Sequence, residues 1–145
     1  IYLLTKKPLD NGSEFFEPST LVTTSIFTEN KASNGIPQKV ETVVNIRFND
    51  KHTGKTISDW LTKCAKSIED KTKTKINIEI KISGEPFYSK PEYLAKLVKK
   101  CVTKYTGISA DFSTSGGTSD ARYIIKKCTV VEFGLVGKKI HAINE

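Results

Sequence analysis

Ser115-Gly116-Gly117-Thr118-Ser119-Asp120 brings small residues, hydroxyls and backbone N–H groups together in one short run. Adjacent glycines let a backbone approach a ligand closely, and the flanking hydroxyls can donate to it. The run has neither the Lys of a phosphate loop nor the third Gly of a dinucleotide fingerprint, which disfavours nucleotide chemistry. By itself it reads either as a plain tight turn or as a ligand-facing loop. The chain has two histidines, His52 and His141. A zinc site needs three or four ligands, and no such set is visible around either. His52 lies in Asn49-Asp50-Lys51-His52-Thr53-Gly54, a turn, which gives little support to a site shared by the two. Cys64, Cys101 and Cys128 are odd in number and show no Cys-x-x-Cys, so they fit neither a disulfide framework nor a zinc ribbon. Cys64 and Cys101 fall on apolar helix faces and are expected as buried thiols. Cys128 opens a strand-like run, and nothing nearby in sequence supports it as a nucleophile.

These residues must be positioned by a frame of alternating strands and helices. Leu21 to Thr28 alternates loosely in β-forming residues. Lys39 to Phe48 does so more clearly, with Val40, Thr42, Val44, Ile46 and Phe48 on one face. Between them Asn30-Lys31-Ala32-Ser33-Asn34-Gly35-Ile36-Pro37 is long for a simple hairpin loop, and is either a plain connection or a functional loop on a rigid scaffold. Thr56 and Asp59 suggest a capping box, followed by Ile57, Trp60, Leu61, Cys64 and Ile68 at helical spacing, so a helix is expected from about 56 to 71. Ile76, Ile78, Ile80 and Ile82 alternate with polar residues and predict a strand over 75–82. Residues 20–83 thus read β-β-α-β, the last two-thirds of a β-α-β-β-α-β ferredoxin-like unit. Its opening strand and helix would precede Ile1, with residues 1–4 as the tail of that helix. The start on Ile rather than Met points the same way.

Ser83-Gly84-Glu85-Pro86 is rich in turn residues and is taken as a domain boundary, giving domains 1–83 and 84–145. Ser89 and Glu92 suggest a second capping box, with Leu94, Leu97, Val98, Cys101, Val102 and Tyr105 on one helical stripe and Gly107 to end it. A short strand, the Gly-Gly turn and a β-rich run from Cys128 to Phe133 follow. The fold class is therefore α+β.

With 145 residues, 37% hydrophobic and 27% charged, the chain is long enough to bury a core. No apolar run approaches the roughly 20 residues that span a bilayer, and residues 1–4 lack the features of a signal peptide, so a cytoplasmic protein without a membrane partner is expected. The net charge of +7 comes from dispersed Lys, with only Arg47 and Arg122 as arginines. No basic run is interleaved with aromatics, which reads as a solvated surface rather than a nucleic-acid site.

Three longer strings carry a resemblance: Gly116-Gly117-Thr118-Ser119-Asp120-Ala121-Arg122-Tyr123-Ile124, then Val130-Val131-Glu132-Phe133-Gly134, then Ile140-His141-Ala142-Ile143-Asn144-Glu145. In this order and spacing the chain resembles the end of the dinuclear zinc deacylases and carboxypeptidases. Ser83 to Phe87, Asn45 to Phe48, Ser33 to Pro37 and Asn11 to Phe16 extend the likeness over nearly the whole chain and favour the desuccinylase branch.

The resemblance implies a zinc catalytic domain carrying an inserted ferredoxin-like domain that pairs two subunits. Residues 1–83 would be most of that insertion, and 84–145 the closing segment of the catalytic domain. His141 would be the last zinc ligand, held through its second ring nitrogen by a further partner. Gly116, Gly117, Thr118, Ser119 and Arg122 would line the pocket for a small acylated amino acid. Asn34 and Arg47 would reach toward substrate in the facing subunit, where Arg clamps a carboxylate through paired hydrogen bonds. The reaction implied is amide hydrolysis: two zinc ions acidify a bridging water, a Glu acts as general base, and a His stabilises the oxyanion. Those other groups would all precede Ile1, so the chain alone is expected to bind zinc poorly and to lack desuccinylase activity. Acetylornithine deacetylases and small carboxypeptidases share the architecture, and a non-catalytic dimerisation module is the alternative of another class. Ser33 and Gly35 beside Asn34, Ala121, and Leu135 after Glu-Phe-Gly depart from the family pattern.

Overall fold

A computed structural model describes residues 9–116 and 119–134. The chain divides into two compact units. One runs to Pro86 and also takes in Thr114–Gly116; the other holds Phe87–Ser113 and the chain after Gly116.

In the first unit β1 (Thr20–Phe27) and β2 (Glu41–Arg47) form an antiparallel two-stranded sheet. Both are rich in Val, Thr and Ile, whose branched side chains suit a pleated surface. Thr20 faces Arg47 and Phe27 faces Glu41, with a register shift between Thr23 and Ser25. The extra residue, Thr24, is a bulge that moves the side-chain phase by one. Leu21 and Thr23 before it, and Ile26 after it, share a face with Ile46, Val44 and Thr42. The bulge explains why the alternation from Leu21 to Thr28 is loose while that of β2 is regular.

Helix α1 (Gly54–Thr72) turns Ile57, Trp60, Leu61 and Cys64 to its sheltered side, as their spacing predicts. It begins earlier than expected. Thr53 is the N-cap, accepting from the Thr56 N–H at 3.2 Å, while the Thr56 hydroxyl accepts from the Thr53 N–H at 2.9 Å. This reciprocal pair uses a Thr where the common pattern has Glu or Gln, and it replaces the Thr56/Asp59 box. At its other end Lys73 takes the left-handed conformation, with φ 59°.

The segment 75–82, predicted as a strand, pairs in no ladder among the described residues. It is instead anchored to α1. The Ile76 N–H donates to the Glu69 carboxylate at 2.6 Å, near the helix end. At the helix start, Gly54 meets Ile82 and Glu85, and a Cβ on Gly54 would lie 2.7 Å from Ile82 Cγ2. The Gly54 N–H donates to both Glu85 carboxylate oxygens at 3.0 Å. A strand needs a neighbour for its backbone groups, and alternation in sequence does not supply one.

In the second unit α2 (Tyr93–Thr106) ends at Gly107, φ 72°, where the pattern placed its stop. Its Ser89/Glu92 capping box does not form: Glu92 is the N-cap without a side-chain bond, and the Ser89 hydroxyl donates to the Val130 carbonyl at 2.7 Å. The sheltered stripe is Ala95, Val98 and Val102, one position around from the expected one. Leu94, Leu97, Tyr105 and Cys101 are exposed, so Cys101 is not the buried thiol its spacing suggests. Cys64 is half-buried and Cys128 exposed. A short helix, α3 (Ala121–Ile124), follows, and turns continue it to Cys128. The predicted strands before Ser113 and over Cys128–Phe133 are not in a ladder among the described residues. No helix among those residues is long and apolar enough to cross a membrane.

Candidate functional site

In the first unit the site is built on the carboxyl end of β2. Arg47, the last residue of that strand, is exposed, and its Nη1 donates to the Gly116 carbonyl at 3.4 Å. The Thr114 hydroxyl donates to the Phe15 carbonyl. The stretch Thr114–Gly116 is therefore bonded both to Arg47 and to the Asn11–Phe16 segment.

Behind Arg47 lies a polar cluster that sequence reasoning missed. The Asp10 carboxylate accepts from the Gly12 N–H at 2.6 Å, the Ser19 N–H at 3.3 Å, the Asn49 side-chain amide at 2.6 Å and His52 Nε2 at 3.1 Å. Ser19 Oγ accepts from the Asn49 N–H at 3.0 Å, and Asn49 Nδ2 also donates to the Glu17 carbonyl at 3.1 Å. Ser19 and Asn49 are 2% and 3% exposed. Burial alone would raise the Asp10 carboxyl. The Ser19 hydroxyl, the Gly12 N–H, the Asn49 amide and the Ser19 N–H overcome it and hold the group well below the usual carboxylate range. His52 is thus committed to Asp10. Residues 39 and 42 positions apart meet here, a separation that no periodicity signals. The one local hint was the density of turn residues around Asp10-Asn11-Gly12-Ser13 and Asn49-Asp50-Lys51-His52.

Asn34 is exposed in the β1–β2 connection and is not brought to Arg47 by any hydrogen bond described there. Asn30 organises that connection, its Nδ2 donating to the Gly35 carbonyl at 2.8 Å and its Oδ1 accepting from the Ala32 N–H at 3.0 Å. A groove of about 420 Å³ lies alongside, lined in part by Phe27, Asn30, Ile36 and Lys39.

In the second unit Ser119 Oγ accepts from the Ala121 N–H at 3.1 Å and so holds the start of α3. Arg122, on that helix, is half-buried, with its guanidinium 4.7 Å from the Tyr123 ring centroid. Its Nε and Nη1 are buried and have no hydrogen-bond partner among the described residues. Buried donors without acceptors are costly, and a planar cation with two of them matches a carboxylate. Gly117, Thr118 and His141 lie outside the described residues. Among the described residues no group of three His, Cys, Asp or Glu side chains is placed to hold a metal ion.

The pattern of peptidase family M20/M25/M40 matches residues 9–145. A succinyl-diaminopimelate desuccinylase of Roseobacter denitrificans is 46% identical over 142 residues, 98% of this chain and 37% of that protein. Those of Ruegeria pomeroyi and Paracoccus denitrificans are each 43% identical, over 98% and 100% of this chain. The chain spans a little over a third of the length of these relatives. With the family pattern covering it from Leu9 onward and relatives alike over nearly its whole length, this chain belongs to peptidase family M20/M25/M40.

Proposed function

We propose that this chain is a segment of a zinc-dependent amidohydrolase that cleaves N-succinyl-diaminopimelate to succinate and diaminopimelate, a step of diaminopimelate and lysine biosynthesis, and that the segment alone does not turn over. The observation that carries this reading is the likeness of nearly the whole chain to succinyl-diaminopimelate desuccinylases; Arg122 supports it, since its Nε and Nη1 have no hydrogen-bond partner among the described residues and are suited to pair with a carboxylate. The relatives' names supply the substrate class.

The described residues do not fit a zinc site by themselves, since no ligand cluster exists among them and His52 is bonded to Asp10. In this reading His141 is one ligand of two zinc ions, and the others come from elsewhere in the longer protein. What this chain's own residues do is bind and orient. Arg122 neutralises a carboxylate, and the Gly116–Ser119 turn brings backbone and hydroxyl donors to the substrate. Arg47 and Asn34 reach the facing subunit from an inserted ferredoxin-like domain that forms the homodimer.

The test is an exchange of segments: residues 1–145 replace the matching segment of the Roseobacter denitrificans desuccinylase. Turnover of N-succinyl-diaminopimelate within about tenfold of the parent is expected, and Arg122→Gln in that hybrid should raise KM by roughly 100-fold, the cost of unpairing a charged hydrogen-bonded carboxylate. A folded hybrid that hydrolyses only acetylornithine or a dipeptide would reassign the substrate. Turnover and stoichiometric zinc in the isolated chain would refute its inactivity.

A non-catalytic dimerisation module is favoured by one observation, the exposure of Val22, Ile26, Phe27 and Val43 on the two strands. Sedimentation of the isolated chain decides it: a monomer at high concentration removes this reading.

A further inference from the structure

Two segments of the molecule have no part in the chemistry above, the Asn11–Phe16 turn and the Asn49–Gly54 turn, and both converge on one carboxylate. We propose that Asp10 is a positioning residue: from a single half-buried anion it fixes both pieces of backbone that hold Thr114–Gly116, the stretch that precedes Gly117 in the sequence.

On one side, the Asp10–Gly12 bond sets the start of the 10–16 turn. Gly12 has φ 78°, and a Cβ there would lie 2.7 Å from the Phe16 carbonyl oxygen, so only glycine suits the position. The Ser13 N–H donates to the Phe16 carbonyl at 2.8 Å and Ser13 Oγ accepts from the Phe16 N–H at 3.2 Å, which closes the turn. The Phe15 carbonyl inside it accepts the Thr114 hydroxyl.

On the other side, Asp10 and Ser19 together grip Asn49, two residues beyond Arg47. The ladder pair Thr20 and Arg47 lies next to this grip. Arg47 therefore leaves a backbone pinned on both flanks, and its Nη1 reaches the Gly116 carbonyl. Thr114 and Gly116 are thus bonded to two segments that Asp10, Ser19 and Asn49 tie together. A carboxylate suits the centre because several donors arrive and an ionised carboxylate is all acceptor. An amide would turn its own N–H₂ toward some of them.

The importance of the 114–116 stretch rests on the proposed substrate role of the turn that follows it, but the inference can be tested without substrate or metal. Amide exchange and the signals of the Arg47 guanidinium and of residues 114–116 would be followed by NMR in the 145-residue chain and in the variants Asp10→Asn, Asp10→Glu and Thr114→Val. Asp10→Asn is expected to speed exchange at the Asn49 amide by tenfold or more and to shift the Arg47 guanidinium, Thr114 and Gly116 carbonyl signals, while Ala95 in α2 is unchanged. Asp10→Glu should recover part of that protection. Thr114→Val should shift the 114–116 signals and leave Asn49 as it was, which gives the direction of dependence. If Asp10→Asn frees Gly12 and Asn49 but leaves Arg47 and 114–116 unmoved, the cluster is only a staple of its own unit and the inference is overturned. Should Asp10→Asn fail to fold, Ser19→Ala removes fewer bonds of the same cluster and is read by the same signals, with the same unmoved result overturning the inference. Because these readouts need no turnover, an inert segment exchange would refute the hydrolase reading without touching this one.

Discussion

An ionised carboxylate can only accept, so its 3.1 Å contact with His52 Nε2 makes that nitrogen the donor and leaves neutral His52 in the Nε2–H form. Lone histidines in a turn look alike in sequence, and only the approach of Asp10, 42 residues away, distinguishes this one. The same carboxylate sets a pH dependence. Its folded-state pKa is depressed, so the stability it contributes is present in full above the unfolded Asp value of about 3.9 and is lost as pH falls further through the acid range. Urea midpoints measured from pH 5 to pH 2 should fall more steeply for the wild type than for Asp10→Asn. Parallel lines would show that the carboxylate carries no such linkage. Arg122 is singled out by its place in a recognisable string, whereas the lack of acceptors for its Nε and Nη1 among the described residues is a fact of packing that no string records.

Helix α1 shows which features of an element are local and which are not. Its apolar stripe and approximate length follow from spacing alone, because Ile57, Trp60, Leu61 and Cys64 must share a face. Its first turn was misplaced because a Thr–Thr reciprocal cap lacks the usual acidic partner. Thr53→Ala removes that cap and should cost about 1 kcal/mol in denaturant unfolding; a value near zero would mean that Glu85 holds the helix start unaided. At the far end Lys73 carries a side chain at φ 59°. Lys73→Gly should stabilise by about 0.5–1 kcal/mol, read as a rise in Tm, since glycine relieves the left-handed penalty at the cost of some chain entropy. A fall in Tm would show that the Lys side chain makes a compensating contact. The strand reading of 75–82 failed for a different reason. Alternating isoleucines specify a face, but a ladder also needs a neighbouring strand, and residues 75–82 have none among those described.

At the scale of the whole molecule the surface is the informative quantity. Among the described residues Ile57, Ala95 and Ala121 are the buried apolar side chains, while Leu94, Leu97 and Phe133 face outward. Patches of this kind bind hydrophobic dyes or partner surfaces. The isolated chain should therefore enhance the fluorescence of an apolar dye severalfold over a closed globular control of equal mass, and no enhancement would show that these side chains find cover in solution. Composition could not reveal this, because 37% hydrophobic residues is compatible with a closed core. One stretch is closed on itself. Glu85 returns to the Gly54 N–H across 31 residues and places a negative charge at the start of a helix whose first turn has none of its own. Most of the stability of a helix in a protein comes from packing of its apolar face rather than from propensity. Supplied with its own returning counter-charge, this one becomes a candidate for autonomy, a piece that keeps its shape after excision. A peptide of residues 53–86 should accordingly show more helix by circular dichroism than its Glu85→Gln counterpart, and equal spectra would mean that the ring closes only when the rest of the chain holds it.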